Sequence, residues 1–417
     1  MLFNSSIPLP KGNDWLIKLL NWVDQHYPHF GFFQNHGIDY PYGGFPNELY
    51  AGKSIVRLQE MDSYRRKSNL VGLVSFDYKN RIEKLKSDND NLIDLPESVF
   101  IVPDLQIEIH SGSLFIVHAD RMILGEEIFG DSVANFSNPT VQIKSLTSKD
   151  KYLSDIEAIK EHIRSGDIYE LNYCMAYLFQ EKHWNPVLGF WDLMKISPMP
   201  FSALFKSKDK YLICASPERF LKKIGENIVS QPIKGTIKRG KDDLEDSNMR
   251  NLLLNSEKER AENLMIVDLM RNDLSKISKT GTVHVEELFG VYPFAKVHQM
   301  ISTVSATLKE EIGFRDILHA TFPMGSMTGA PKIKCLELIE KYENFTRSWF
   351  SGSLGIIRPD GDFDFNVIIR SIIFDRMSGK GFFAVGSAIT FDADPEYEYE
   401  ECKLKASAIR SVLTHKD

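Results

Sequence analysis

Beyond residue 167 the chain is a succession of short runs with strand character, and helices do not separate them in any regular order. Residues 167–180 alternate with a period of two, placing Tyr169, Leu171 and Tyr173 on one side and Glu170 and Asn172 on the other. Residues 202–205, 211–215, 282–288, 296–308, 352–357, 365–374 and 381–390 also read as strands. A parallel sheet needs a crossover, usually a helix, between successive strands. Without that alternation the expected class is α+β, a layered fold of large, mostly antiparallel sheets with helices packed outside. At 417 residues the chain exceeds the length at which single cores tend to split, so it predicts one large domain or two closely packed lobes.

Helical spacing is rarer. Residues 15–23 fit a short amphipathic helix, and Tyr152, Ile156, Ile159 and Ile163 mark another. Residues 243–276 predict a long helical stretch with a break, and 395–413 a final helix. Residues 39–52, rich in Gly, Pro and Tyr, read as loop, and 78–97 as loop or solvated helix end. Residues 71–77 and 113–117 read as strands. The polar, Asn- and Ser-rich stretch 131–148 is the candidate boundary. It divides an N-terminal segment, 1–145, integrated into the same fold, from a region 146–417 that holds every chemical motif.

Composition narrows function. The net charge of −7, with no basic tract, argues against nucleic acid as the main partner. Cys174, Cys214, Cys335 and Cys402 are far apart with no CxxC spacing, as expected of reduced thiols in a cytoplasmic protein. No secretion signal and no 18-residue apolar run is present, so the sequence reads as neither secreted nor membrane-spanning.

The stretch 213–240 places two reactive groups near each other. Glu218 sits in a Ser-Pro-Glu-Arg turn and Lys234 in Pro-Ile-Lys-Gly-Thr. Residues 219–224 and 228–233, joined by a Gly225-Glu226-Asn227 turn, read as a hairpin. A hairpin returns the chain beside its start, so an acid and an amine nucleophile can face one small substrate. Taken alone, either residue reads first as a solvated surface charge on a hairpin.

Two acidic pairs follow. Glu259 and Glu262 are three apart on one predicted helix. Glu398 and Glu401 are three apart on another, with Lys405 four beyond. Carboxylates from two helices meeting at a pocket make an oxygen-only site suited to Mg²⁺; the alternative is two solvated faces with ordinary Glu–Lys pairs. The segment 325–332, GSMTGAPK, leads into a helix and offers backbone N–H groups to an anion. Its spacing fails the GxxxxGK[ST] nucleotide-loop pattern, so a small dianion fits better than ATP. Arg370 is a charge inside an apolar run and needs a partner. Gly386-Ser387-Ala388 exposes backbone N–H groups where side chains are small.

SPERF, PIKGT, AENLMIVDLMRND, GSMTGAPK, FNVIIRS and the EYEEC…KA tail occur in that order. Over residues 149–417 the chain thereby resembles the chorismate-utilising enzymes, which include anthranilate synthase component I, aminodeoxychorismate synthase component I and the isochorismate and salicylate synthases. The resemblance implies a β-sandwich of two antiparallel sheets flanked by helices. It implies chorismate as substrate and Mg²⁺ as cofactor, held by Glu262 and Glu401, with Glu259 and Glu398 near or in the metal's water shell. It makes Glu218 the acid that protonates the leaving C4 hydroxyl, which requires a raised pKa. It assigns the substrate carboxylates to Arg370 and to the amides of Gly386, Ser387 and Ala388. It lines the site with Gly235, Thr236, Ser326, Thr328 and Lys405, and puts His298 near the ring.

Within that resemblance, lysine at position 234 marks the aminodeoxychorismate branch, whereas anthranilate synthases have alanine there. A neutral Lys234, its pKa lowered by Mg²⁺ and Lys405, is expected to attack C2, and ammonia then displaces it at C4. Two positions depart from the pattern. Glu170 stands where ammonia-using members have glutamine, and the 386–388 stretch reads GSA instead of GGG or GAG. No glutaminase nucleophile motif is present, so ammonia is expected from a separate glutamine amidotransferase subunit. The alternatives are an anthranilate synthase component I, or a non-catalytic regulatory subunit that binds chorismate or tryptophan.

Overall fold

The computed structural model describes residues 5–12, 14–64, 67–110, 112–130 and 137–415. Two antiparallel sheets form the centre, one of 12 strands and one of 10. One buried hydrophobic cluster draws Leu204 and Ile373 from the first sheet and Leu73 and Ile356 from the second. Apolar faces of two sheets bury each other in this way in a sandwich. Helices pack against the sheets: Pro395–Thr414 lies on the strand Lys380–Ile389, and Glu257–Ser275 on Ile233–Lys238 and Val297–Thr307. The α+β class read from the strand succession is the one observed. No described helix is long and apolar enough to cross a membrane.

The N-terminal part contributes strands to both sheets. Ser5–Pro8, His29–Gln34, Glu48–Gly52, Leu105–His110 and Ser113–Ala119 belong to the larger, and Ser54–Val56, Leu70–Val74 and Ser98–Val102 to the smaller. Of the candidate boundary at 131–148, residues 131–136 lie outside the described residues. Past them, Lys144–Ser145 pairs with Tyr177 and Leu178 of the strand Glu170–Gln180.

Three local readings are corrected. Residues 39–52 are not all loop, because Glu48–Gly52 is a buried strand between His29–Gln34 and Leu105–His110. Covered on both faces, it shows no apolar–polar alternation to read. The run 228–233 belongs to two strands. Asn227–Gln231 closes the hairpin with Arg219–Ile224, and Ile233–Lys238 pairs instead with Val297–Thr307. Pro232 between them has no N–H for a ladder. Lys234 therefore reaches Glu218 from a separate strand, not as the hairpin's return.

The run 365–374 is also two strands, and they lie in different sheets: Phe363–Asn366 in the smaller and Ser371–Asp375 in the larger. Residues 367–370 carry the chain across. A second crossing, at 217–218, joins Lys210–Ser216 to Arg219–Ile224. The two crossings lie side by side. Val367 N–H donates to the Glu218 carbonyl at 3.0 Å, and Ala215 N–H to the Arg370 carbonyl at 3.2 Å. Arg370 is thus not within a strand. Its φ of 50° lies in the left-handed region, a strained setting for a side chain of this size.

The core also holds a fully buried ion pair. Arg347 donates to Glu343 through Nε at 2.9 Å and Nη2 at 2.6 Å. It also holds the carbonyls of Met327 at 2.6 Å and Asn172 at 2.9 Å. Breaking such a pair strands a charge in the core. We expect Arg347→Met to lower the unfolding free energy by ~3–5 kcal/mol. Arg347→Met with Glu343→Gln should lose less, because no charge is then left unpaired. Urea unfolding of both variants checks this; a double variant as unstable as the single one would contradict it.

Candidate functional site

Glu218 occupies the first crossing and is 4% exposed. Burial pushes its carboxyl up to about 7, while Ser326, Lys234 and the Ile233 backbone pull the other way. A carboxyl at that value is partly protonated at neutral pH, as a general acid needs to be.

Lys234 points into the same charged cluster. Its Nζ lies 2.5 Å from Glu170 Oε1, and its side chain is 10% exposed. With the protein's own groups alone, its pKa is raised and not lowered. Burial alone favours the neutral amine, but Glu170, Glu262 and Glu218 outweigh burial and hold the group as an ammonium. Glu170, the largest of these three influences, is in direct contact with Nζ.

The acidic pairs come from two helices, each with its own cap. Ser256 Oγ accepts from Glu259 N–H at the start of Glu257–Ser275, and Asp394 Oδ1 from Tyr397 N–H at the start of Pro395–Thr414. Asn255 and Ser256 form the break predicted within 243–276, since Asp243–Leu254 ends there. Glu262 is buried, its carboxyl pushed up to about 7 by burial, and its Oε1 has no hydrogen-bond partner. Burial raises Glu398 and Glu259 as well. Glu401 is lowered, because the Lys405 ammonium at 2.6 Å outweighs its burial.

Lys258 stands between the two helices, 3.2 Å from Glu398 Oε1 and 3.8 Å from Glu262 Oε1. Among the described residues no three His, Cys, Asp or Glu side chains are already assembled as a metal cage. The donor set nevertheless fits a hard divalent cation. It is all oxygen and largely buried, burial raises three of its four carboxyls, Glu262, Glu259 and Glu398, and Glu262 Oε1 lacks a partner.

The other predicted residues divide. Arg370 is half-buried with no carboxylate partner among the described residues, and only Met199 Sδ lies near its Nη1, at 3.9 Å. Burial lowers its guanidinium to about 10, leaving it charged and available to an anion. Gly386 is packed too closely for any side chain: a Cβ would meet Cys174 Sγ at 2.5 Å. Ser387 turns its hydroxyl to Tyr152, at 2.8 Å, and Ala388 pairs in register with Asn172. Lys405 also donates to the Gly386 carbonyl at 2.9 Å, tying the carboxylate helix to that strand. Gly235, at φ 98°, lets its strand approach Glu259, whose Oε2 would lie 3.1 Å from a Cβ there. Thr236 pairs with Gln299 and Ile237 with His298. Thr328 is buried, and its hydroxyl donates to the Met324 and Gly325 carbonyls.

Three neighbours escaped the sequence reading. Asp246 accepts from Arg239 and lies 2.9 Å from His298 Nε2, which leaves buried Nδ1 without a partner. Asn263 donates to the Lys234 carbonyl at 3.4 Å and fixes that strand. Lys258 is four residues before Glu262, a spacing that could have been read. The Asp246 and Asn263 contacts cross between elements and leave no local signal.

Comparison with known proteins bears on this geometry. Residues 47–411 match the family described as chorismate binding enzyme. The chain is 33% identical over 359 residues to "Aminodeoxychorismate synthase component 1" of Escherichia coli, covering 82% of this chain and 76% of that one. It is 36% identical over 328 residues to "Probable aminodeoxychorismate synthase, chloroplastic" of Oryza sativa, spanning 74% of this chain but only 36% of the plant protein. It is also 34% identical over 352 residues to "Anthranilate synthase component 1" of Saccharolobus solfataricus, covering 83% and 81%. The solved structure of anthranilate synthase component I from Streptococcus pneumoniae superposes with a TM-score of 0.75 at 22% identity, over 98% of this chain and 92% of that one. That likeness extends to the fold alone.

The raised Glu218 carries a stability signature. An unfolded glutamate ionises near 4.5 and the folded group near 7. Its contribution is therefore full below the unfolded value and is lost as pH rises through about 7. Glu218→Gln should be more stable than wild type by up to ~3 kcal/mol at alkaline pH, with the gap closing toward acid pH. Urea unfolding at about pH 5 and about pH 8.5 checks the sign; a gap that does not change with pH would contradict it.

Proposed function

This chain belongs to the chorismate binding enzymes, and on that footing we propose that it is the synthase component that converts chorismate and ammonia to 4-amino-4-deoxychorismate. The observation that carries the reading is the buried Lys234 amine, placed among Glu170, Glu262 and Glu218.

Chorismate is a dianion with a leaving hydroxyl at C4. Glu218 donates the proton that lets that hydroxyl leave as water. Arg370, which has no carboxylate partner among the described residues, and the backbone at 386–388 take the substrate carboxylates. Mg²⁺, held by Glu262 and Glu401 with Glu259 and Glu398 beside it, would bind the ring carboxylate and draw electron density from the ring when present. Lys234, once neutral, attacks C2 as the C4 hydroxyl departs, and ammonia then displaces it at C4. Lys405 keeps Glu401 ionised.

Ammonia is supplied by a separate glutamine amidotransferase, in keeping with the words "component 1" in a relative's name. All four cysteines are free and buried, which suits a reducing, cytoplasmic setting.

Given chorismate, Mg²⁺ and an ammonium salt at high pH, the purified chain should turn over, and with glutamine in place of ammonium it should not. Glutamine-dependent turnover by the single chain would remove the separate partner. Lys234→Ala should slow amination roughly 100-fold or more, and a rate equal to wild type would make the lysine a bystander. Glu262→Gln and Glu401→Gln should each depress activity steeply and raise the Mg²⁺ requirement. Normal turnover at low Mg²⁺ in both would remove the metal assignment.

A further inference from the structure

The strand Glu170–Gln180 presents a second polar side chain beside the site. Asn172 follows Glu170 by two positions and so lies on the same face of the sheet. It pairs in register with Ala388, and Tyr173 with Ser387. Tyr173 and Ser387 turn the other way, against Tyr152. Asn172 therefore stands on the face opposite that packing.

The two ends of its amide differ. Nδ2 donates to the Ser326 carbonyl at 2.8 Å, and that bond fixes which end is the oxygen. Oδ1 is buried and has no hydrogen-bond partner among the described residues, on a residue 7% exposed. A buried amide oxygen without a donor is unfavourable, so its place here points to a donor that arrives with a ligand. Gly386 lies against this oxygen, since a Cβ there would come within 2.8 Å of it. Ser326, held by Nδ2, is in turn close enough to Glu218 to favour its ionised form. Oδ1 thus adjoins both the 386–388 stretch and the surroundings of the acid. Chorismate offers such an oxygen one partner. Both carboxylates are acceptors, and the C4 hydroxyl is the dianion's sole O–H or N–H donor.

We propose that Asn172 Oδ1 accepts the C4 hydroxyl of chorismate and thereby turns that oxygen's lone pairs toward Glu218. The proposal rests on the reading of the chain as an enzyme that replaces this hydroxyl. The hydroxyl keeps its own hydrogen, donated to Asn172. A second O–H bond forms with the Glu218 proton, the C4–O bond breaks with its electron pair going to oxygen, and water leaves. Asn172 itself exchanges no proton. The amino group that takes the hydroxyl's place also carries N–H bonds, so the same acceptor serves the product. A ligand with hydrogen at C4 leaves Oδ1 unbonded, and a buried acceptor discriminates against such a ligand.

The test compares the binding of two ligands. Full-length protein with Mg²⁺ and without ammonia is titrated with chorismate and with 4-deoxychorismate, which has hydrogen at C4. Lys234→Ala is present throughout, so that no covalent step obscures binding. With Asn172 intact, chorismate should bind roughly 10-fold or more tightly than the deoxy analogue. Asn172→Leu should bring the two affinities together by weakening chorismate and sparing the analogue. Asn172→Asp loses the bond to Ser326 but keeps an acceptor, so both dianions should bind it less well while the preference for chorismate remains. Equal affinities with Asn172 intact, or a preference unchanged by Asn172→Leu, would overturn the role of Asn172 and leave the reading of the chain standing. Should Asn172→Leu fail to fold, the Asp variant decides. Loss of the preference there would overturn the proposal, because the bond to Ser326 and not the acceptor would then be what matters. Absence of chorismate binding by the unaltered chain would overturn the reading of the chain and the proposal with it.

Discussion

The site depends on one constraint of the backbone. A strand that leaves one sheet to join another gives up ladder partners at the crossing, and its N–H and C=O groups must be satisfied elsewhere. Here two crossings satisfy each other, through Val367 to Glu218 and Ala215 to Arg370. That mutual repair fixes an acid, and a guanidinium with no carboxylate partner among the described residues, at the seam between the sheets. Arg219 secures the acid's side: fully buried, it bonds Asp364, Gln231 and the carbonyls of Pro41 and Gly43, with Tyr40 and Phe201 over its face.

Around the seam, charge is unevenly spread. Glu218, Glu262, Glu259, Glu398, Glu401 and Glu170 gather where water is scarce, and burial raises most of them. Lys234, Lys258 and Lys405 supply the countercharge within the protein. Removing several carboxylates from water is unfavourable unless cations accompany them. Were a divalent ion held by Glu262 and Glu401, it would supply part of the countercharge the lysines now give; Lys258 has 41% of its side chain exposed. The same carboxylates hold Lys234 as an ammonium.

Most of the architecture was legible because strand succession and the spacing of Glu259, Glu262, Glu398 and Glu401 are local. The misreadings share a cause. Residues 365–374 form an unbroken apolar run, and nothing in such a run tells one strand from two in different sheets. The same run made Arg370 look like a charge within a strand. Pro232 signalled the break that separates Lys234 from the hairpin, but not which strand would receive the next segment. The protein's own groups raise Lys234 because Glu170, 64 positions earlier in the chain, turns out to be its hydrogen-bond partner. Sequence placed Glu170 on the correct side of its strand, yet the facing element is set by the sandwich as a whole.

The central claim is that the Lys234 site directs nitrogen to C4 of chorismate. Isotopically labelled ammonium, chorismate and Mg²⁺ given to the purified chain, with the product's ring position read by NMR, test it most directly. The account predicts label on C4, in 4-amino-4-deoxychorismate with its enolpyruvyl group intact. Label ortho to the ring carboxylate, in anthranilate formed with loss of pyruvate, would contradict it.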